Sequence, residues 1–434
     1  MIILAISFMS NDIFNSFLIS TTKMQKSAEI VASNEHLLIE ILLRMPVKPL
    51  FRFKSVSTQW LHLISSQYFS KNHTLKNPNP SNSGLLHHNH QYITYISPIQ
   101  NPDSRRSFGP EPVLDFLKLP PLFSCTKLLT SCNGLLLYLL VTSPHVNDNS
   151  DIIYIVCNPT TKKSNPLPYI EDLAKRPIVN MDLAFDPQLS LNYKVVCTRY
   201  SSPSTGSDFD IQIFSSETGS WKICQGPFKS FRAGMLFQSG VYWNKRIHYI
   251  DSWDDDVIYF DLEDETLKAL KMPAAQSEVN TMMRRSWYLE RSGGYLHLLD
   301  IEMNITRASY IGIYELLEDY SGWVLRFRVD LSVMESTFPR MVQYVDACPF
   351  LEGSDERGRV GGYYTYWLLG LVRMGGEDDE NVGFELILSM PNRIMCYNVR
   401  SGDCKEVVYY RDDRDRRGYD WNNVVGYVDT LSPV

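Results

Sequence analysis

The side chains of this 434-residue chain that can ligate metal, move protons or attack carbonyls are scattered rather than convergent. His87-His88-Asn89-His90 is the densest set of metal-capable groups, but no Cys, Asp or Glu stands beside it and its flanks read as loop, so no metal is expected there. Asp254-Asp255-Asp256 and Glu377-Asp378-Asp379-Glu380 supply carboxylates without a partner at a catalytic spacing, and read as solvated loop tips. Arg411-Asp412-Asp413-Arg414-Asp415-Arg416-Arg417 alternates in sign, which denies phosphates a basic stripe and argues against a nucleic-acid ligand. The chain lacks G-x-x-x-x-G-K-[ST], H-E-x-x-H and G-x-S-x-G, so the sequence points to no catalytic residue and no cofactor.

Cys125, Cys132, Cys157, Cys197, Cys224, Cys348, Cys396 and Cys404 include no C-x-x-C pair. Spread this widely, they read as reduced thiols of an intracellular protein rather than a secreted disulfide framework. The apolar start, MIILAISFMSNDIFNSFLIS, lacks a basic leader and is broken by Ser10-Asn11-Asp12; it is shorter than the roughly twenty apolar residues of a spanning helix, and no membrane partner is expected. Residues 1–30 are expected to form a poorly ordered extension, with Met24 an alternative beginning.

The elements that position chemistry here are helices near the start and strands afterwards. Leu38, Ile41, Leu42 and Met45 recur at i, i+3, i+4 and i+7, one face of a helix that Ser33 or Asn34 can cap. Pro46 and Pro49 end that helix near Met45 and suit the start of a second, carrying Leu50, Phe53 and Val56. Ser57 or Thr58 begins a third, with Trp60, Leu61 and Ile64. A unit this small, without Cys, is expected to expose apolar surface that an associating partner covers. Residues 31–75 hold five Lys/Arg against two Asp/Glu, whereas the whole chain carries a formal charge of −7. A basic module on an acidic body suits an acidic partner.

The run LLIEILLRMPVKPLFRFKSVSTQWLHLISSQYF resembles a plant-type F-box, in Met45-Pro46-Val47-Lys48-Pro49-Leu50, Arg52-Phe53-Lys54-Ser55-Val56-Ser57, Trp60, Leu63-Ile64-Ser65 and Phe69. Two departures are Ala32-Ser33 in place of the usual opening Leu-Pro, and Pro49 where Ser is common. The resemblance implies docking on a Skp-family adaptor, and through it a cullin, with Leu38, Ile41, Leu42, Pro46, Val47, Leu50, Phe53, Val56 and Trp60 as the adaptor-binding set.

Beyond the Asn/Pro/Ser-rich stretch, the apolar period changes from 3.6 to 2. Val241, Trp243, Ile247 and Tyr249 alternate around Asn244-Lys245, a hairpin whose turn type the sequence leaves open. A strand, a polar residue and a short turn recur at Asn158, Ser215, Asp261, Glu315 and Asn398, with separations of 57, 46, 54 and 83, the last gap having room for a degenerate copy around Tyr363 to Leu371. Spacing near about fifty residues suits four-stranded propeller blades. CNGLLLY, CNPTTKKSNPLP, FSSETGSWK, GVYWNKRIHYID, FDLEDETLKALKMP and YVDTLSP resemble the kelch-like F-box-associated propeller domain of plant F-box proteins.

The expected architecture is a small all-α F-box of about three helices followed by an all-β propeller-like domain. Its expected boundaries are an extension over 1–30, the F-box over 31–75, a linker over 76–83 and the propeller over 84–434. The resemblance implies a non-catalytic substrate-recognition subunit of a Skp–cullin–F-box ubiquitin ligase, in the cytoplasm and/or nucleus, whose propeller binds an unidentified target protein. The alternative is a propeller enzyme or carbohydrate-binding propeller whose helical prefix serves packing or dimerisation. Loops at a propeller face are free to vary, so Ser201 to Asp208, Asp251 to Asp256 and Gly353 to Gly362 are candidate target contacts, with Trp253 and Arg357 as anchors.

Overall fold

The computed structural model describes residues 34–77, 84–89, 92–96, 125–141, 152–170, 177–201, 208–224, 226, 228–229, 240–251, 255–273, 283–304, 309–346, 359–364, 366–374, 382–391, 393–409 and 424–434. The extension over 1–30 lies outside them.

Four helices open the described chain, one more than the sequence suggests: α1 (Glu35–Leu42), α2 (Val47–Phe53), α3 (Thr58–Ser65) and α4 (Gln67–Lys76). Three are started by a side chain satisfying an orphan amide: Asn34 accepts from Leu37 N at 3.2 Å, Ser57 from Trp60 N at 3.2 Å and Ser66 from Phe69 N at 3.1 Å. Ser66 explains the extra helix. Its extended backbone interrupts α3 while its hydroxyl caps α4. Helix α4 runs past the expected boundary, and Asn77 Nδ2 donates to Leu43 O at 3.0 Å and His73 O at 2.8 Å, so residues 76 and 77 belong to the helical unit rather than to the linker. His73 lies within it, its ring nitrogen Nε2 2.8 Å from Met45 O; burial lowers its pKa, while the Met45 carbonyl works the other way.

The rest of the described chain is antiparallel sheet. Blade one comprises Cys125–Cys132, Leu135–Val141, Ile152–Asn158 and Lys163–Pro166. Blade two comprises Ile178–Ala184, Lys194–Tyr200, Asp208–Ser215 and Ser220–Ile223, with Phe228–Lys229 added to its third strand. Blade three is Val241–Trp243, Arg246–Asp251, Asp256–Asp261 and Thr266–Lys271; blade four is Met283–Ser292, Tyr295–Asn304, Ser309–Leu316 and Trp323–Asp330. Blade five is Trp367–Met374, Gly383–Met390, Arg393–Asn398 and Cys404–Tyr409. Each of the five pairs its strands in sequence order, so the first strand of each is an edge, and these edges pack on one another around the ring. Between blades five and one stands a three-stranded sheet in which Val424–Tyr427 pairs with Gly84–Asn89, itself paired with Tyr92–Ile96. The late strand held by an early one closes the ring, packing on the inner strands of blades five and one.

Four of the five polar residues that mark the sequence repeat end a third strand, and Glu315 stands one residue before the end of its own. Asn158 Oδ1 accepts from Thr160 and Thr161 N, Asp261 Oδ1 from Glu263 and Asp264 N, and Asn398 Oδ1 from Arg400 and Ser401 N, all at 2.9–3.2 Å. Ser215 Oγ accepts from Glu217 N at 3.3 Å. Four positions further on, Lys162, Gly219, Glu265 and Gly402 all take positive φ. A short acceptor side chain therefore organises the turn into the outer strand of each of these blades. Glu315 departs from that chemistry and spends its oxygens on arginines. The Asn244-Lys245 hairpin resolves likewise, with φ of 46° and 62°, the type I′ pattern.

Among its described residues the 83-residue gap holds no degenerate blade. It contains short 3-10 turns at Leu331–Met334 and Pro339–Met341 and a hairpin of Val342–Asp346 with Arg359–Tyr364, while Trp367–Met374 is the inner strand of blade five. A further boundary is revised at the other end. After Tyr427 the chain leaves the ring, and Leu431 is buried among the helices of the F-box-like unit.

The blade interfaces bury carboxyls as well as hydrocarbon. Glu290, on the inner strand of blade four, accepts from Leu371 N of blade five at 2.6 Å, and burial pushes its carboxyl up to about 8 despite that bond. Its raised pKa means the unfolded chain ionises first, near 4.5, and native stability falls with rising pH until about 8, by about 1.4 kcal/mol per pH unit. Glu290→Gln, which still accepts from Leu371, is expected to remove that slope. Urea midpoints measured from pH 5 to 8 should show the variant gaining on the parent as pH rises; a constant difference would contradict the assignment.

Candidate docking surface and target face

The helical unit divides its apolar residues between a core and a surface. Leu38, Leu42, Val47, Leu50, Phe53 and Trp60, six of the nine expected adaptor contacts, are buried against one another with Leu43, Met45, Leu63, Ile64 and Phe69. Phe53 and Trp60 meet edge to face at a centroid distance of 5.7 Å. Of the nine side chains that so small a unit is not expected to enclose together, it encloses these six. The added helix α4 and Leu431 supply the missing cover. Of the remaining three, Ile41 and Pro46 are exposed and Val56 is half-buried.

Leu37, Phe51, Leu61, Tyr68 and Leu75 are also exposed, none of them among the nine expected contacts, and on α1 the inward stripe runs beside a second, outward one. Leu37 and Ile41, spaced i and i+4, lie on the outward side of α1, whereas Leu38 and Leu42 point inward. The contrast is sharp between neighbours: Leu42 is 1% exposed and Ile41 40%. Polar groups flank the patch. Glu40 Oε2 accepts from Lys76 Nζ at 2.5 Å, which lowers its pKa, and Lys54 Nζ lies 4.8 Å from the Phe51 ring centroid. Burial and the nearby Lys163 of blade one lower the Lys54 pKa.

Hydrogen bonds between blades show which propeller face this unit occupies. Phe185 O accepts from Cys132 Sγ at 3.2 Å and Asn133 Nδ2 at 2.6 Å, joining the ends of the inner strands of blades one and two. Trp243 Nε1 donates to Gly294 O at 2.7 Å, and Arg373 N to Ser292 Oγ at 2.8 Å, making the same junction for blades three to five. Arg291 Nη1 donates to Asn133 Oδ1 at 3.0 Å, tying blade four to blade one. The inner strands thus all end on one face, and the segment 428–434 leaves Val424–Tyr427 on that face toward the helices. Gly134 permits this passage, because a Cβ there would stand 2.4 Å from Val428 O.

Antiparallel pairing then puts the end of each second strand, the start of each third, the end of each fourth and the start of each first on the opposite face. The stretches 201–208 and 251–256 each join a second strand to a third, and 353–362 lies within the connection from blade four to blade five. The first two candidate target stretches are bracketed by strand ends of one face, away from the helices, a grouping the sequence alone leaves unassigned, whereas residues 359–362 of the third are strand rather than loop, part of the hairpin of Val342–Asp346 with Arg359–Tyr364. Trp253 and Arg357 themselves lie outside the described residues, as do the side chains of His87 and His88.

Elsewhere the titratable groups sit in structural roles. Asp182 accepts from Tyr249 Oη at 2.7 Å, Asn180 Nδ2 at 2.8 Å and Gly240 N at 2.9 Å, and burial lifts it to about 6 against those bonds. Burial drives His248 down to about 3, with Nε2 2.9 Å from Tyr320 Oη. Cys132, Cys157, Cys197, Cys224 and Cys396 are buried, and Cys132, Cys197, Cys224 and Cys396 are pushed up to about 12 by burial, so they are protonated thiols rather than nucleophiles. Among the described residues no three His, Cys, Asp or Glu converge as a metal site, and no helix is long and apolar enough to cross a membrane.

A small helical unit with an exposed apolar stripe, set on one face of a five-bladed β-propeller, defines a two-part protein. Comparison with known proteins agrees: residues 34–72 match the F-box domain and residues 117–294 the F-box associated beta propeller domain. An F-box protein of Arabidopsis thaliana is 30% identical over 392 residues, spanning 86% of this chain and 84% of the relative. F-box only protein 8 of the same plant is 27% identical over 258 residues, covering 55% of this chain and 79% of its own length. The chain belongs to the plant F-box proteins that carry an F-box-associated β-propeller. Proteins of this family are in general non-catalytic adaptors.

Proposed function

We propose that this protein is the substrate-recognition subunit of a Skp–cullin–F-box ubiquitin ligase. It docks on a Skp-type adaptor through the exposed apolar side of the F-box and holds a target protein at the loop face of the propeller. The observation that carries the reading is the outward stripe of Leu37 and Ile41 on a unit whose own core is already complete. Ile41, Pro46 and Val56 remain contact candidates from the sequence, joined by Leu37, Phe51 and Leu61; the six buried residues act by holding that surface in shape. The receptor itself breaks no bond, and the assembly contributes proximity and orientation to ubiquitin transfer. On this reading the protein works in the cytoplasm and/or nucleus.

The target partner is a protein met by loops, with Trp253 and Arg357 as first anchors to test. Replacing 202–207, 252–254 and 353–358 by short Gly/Ser turns is expected to lengthen the half-life of the cellular target several-fold, with adaptor binding unchanged. Target candidates come from proximity labelling under proteasome block. Unaltered turnover in the loop-replaced protein would move recognition to another surface.

A further inference from the structure

Residues 428–434 are bonded to the propeller and to the F-box at once. On the propeller side, Asn158 Nδ2 donates to Thr430 O at 3.1 Å and Ser432 O at 2.8 Å, and Thr160 Oγ1 donates to Asp429 Oδ1 at 3.4 Å. On the helical side, Leu431 is 4% exposed within the F-box core, Ser70 Oγ donates to Leu431 O, and Lys48 Nζ lies 3.4 Å from Asp429 Oδ2. The Thr430 and Ser432 hydroxyls are 2.7 Å apart, and Ser432 N donates to Thr430 Oγ1 at 3.1 Å, a local turn that holds the residues flanking Leu431. Polar groups are thereby satisfied on blade one while the one large apolar side chain between them enters the helices. Asn158 is also the residue that organises its own blade turn, so the attachment point on the propeller is a fixed one.

We propose that 428–434 is an intramolecular strap that sets the angle between the F-box and the propeller. Under the receptor reading given above, on which its consequence rests, that angle fixes where a bound target stands relative to the adaptor. The selective variant is Asn158→Asp: it keeps the oxygen that caps the blade turn and turns the donor facing two carbonyls into a repelling oxygen. Deletion of 429–434 is the companion.

Spin labels introduced as unnatural amino acids at the exposed Lys71 and Thr218 report the distance between the two parts in the full chain. A narrow distribution is expected for the parent and one at least twofold broader for either variant that keeps the propeller's melting transition. Unchanged narrow distributions in both variants would overturn the proposal. Loss of the propeller fold in both would overturn it equally, by making the segment part of the propeller core. The distance is read without adaptor or target, so failure of the strap is distinct from failure of the receptor reading, which adaptor binding by the same proteins reports.

Discussion

Ile41→Asp is expected to lower affinity for a Skp-type adaptor by at least ~100-fold while leaving the F-box folded, and Leu42→Asp to unfold the F-box itself. The two residues are adjacent, yet one is exposed and the other lies in the core. A carboxylate at position 41 is solvated in the free protein and meets the penalty only when the interface closes; about 3 kcal/mol for an unpaired buried charge corresponds to about two decades in affinity. At position 42 the same charge has no solvated alternative in the native state, so the penalty falls on folding. Thermal melts monitored at Trp60, together with adaptor titration, separate the two effects. Ile41→Asp binding normally while folded would remove α1 from the interface.

The second large effect lies in the propeller. Glu315 Oε1 accepts from Arg326 Nε at 3.0 Å and Nη2 at 2.5 Å, while its Oε2 lies 3.3 Å from Arg373 Nε and 3.2 Å from His297 Nε2. This carboxylate holds the third strand of blade four to the inner strand of blade five. Arg373, whose guanidinium stacks 4.2 Å from the Tyr295 ring centroid, is almost wholly enclosed. Glu315→Ala removes the carboxylate that both arginines bind, and a loss of about 3–5 kcal/mol is expected. Burial acts to raise the Glu315 pKa, but hydrogen bonds from His297 and Arg326 outweigh it and bring it to about 2. Because the folded value is the lower one, the contribution is complete above about 4.5 and is lost as pH falls toward 2. Denaturant midpoints should show the parent losing stability over that window and Glu315→Ala losing less; parallel curves would contradict the role.

Much of this architecture was legible because its determinants are local. Caps at Asn34 and Ser57, proline punctuation at 46, and a polar residue closing four of the five third strands act within four residues of where they stand. What escaped depends on distant pairing. That Leu38 and Leu42 are core whereas Leu37 and Ile41 are surface follows from where α4 and Leu431 pack, and Leu431 lies nearly four hundred residues from α1. The fourth helix was hidden in a Ser-Ser pair that reads equally well as a loop. Glu315 nearly fits the repeat by position and breaks it by chemistry, since its partners Arg326 and Arg373 belong to other strands.

The receptor assignment is tested most directly by mixing the purified full chain with a purified plant Skp-type adaptor and following complex formation by calorimetry and size exclusion. A stoichiometric one-to-one complex is predicted, abolished by Ile41→Asp and retained by the protein with replaced target-face loops. Absence of a complex with the folded parent chain, or a complex indifferent to Ile41→Asp and to charge at Leu37 and Leu61, would contradict the account.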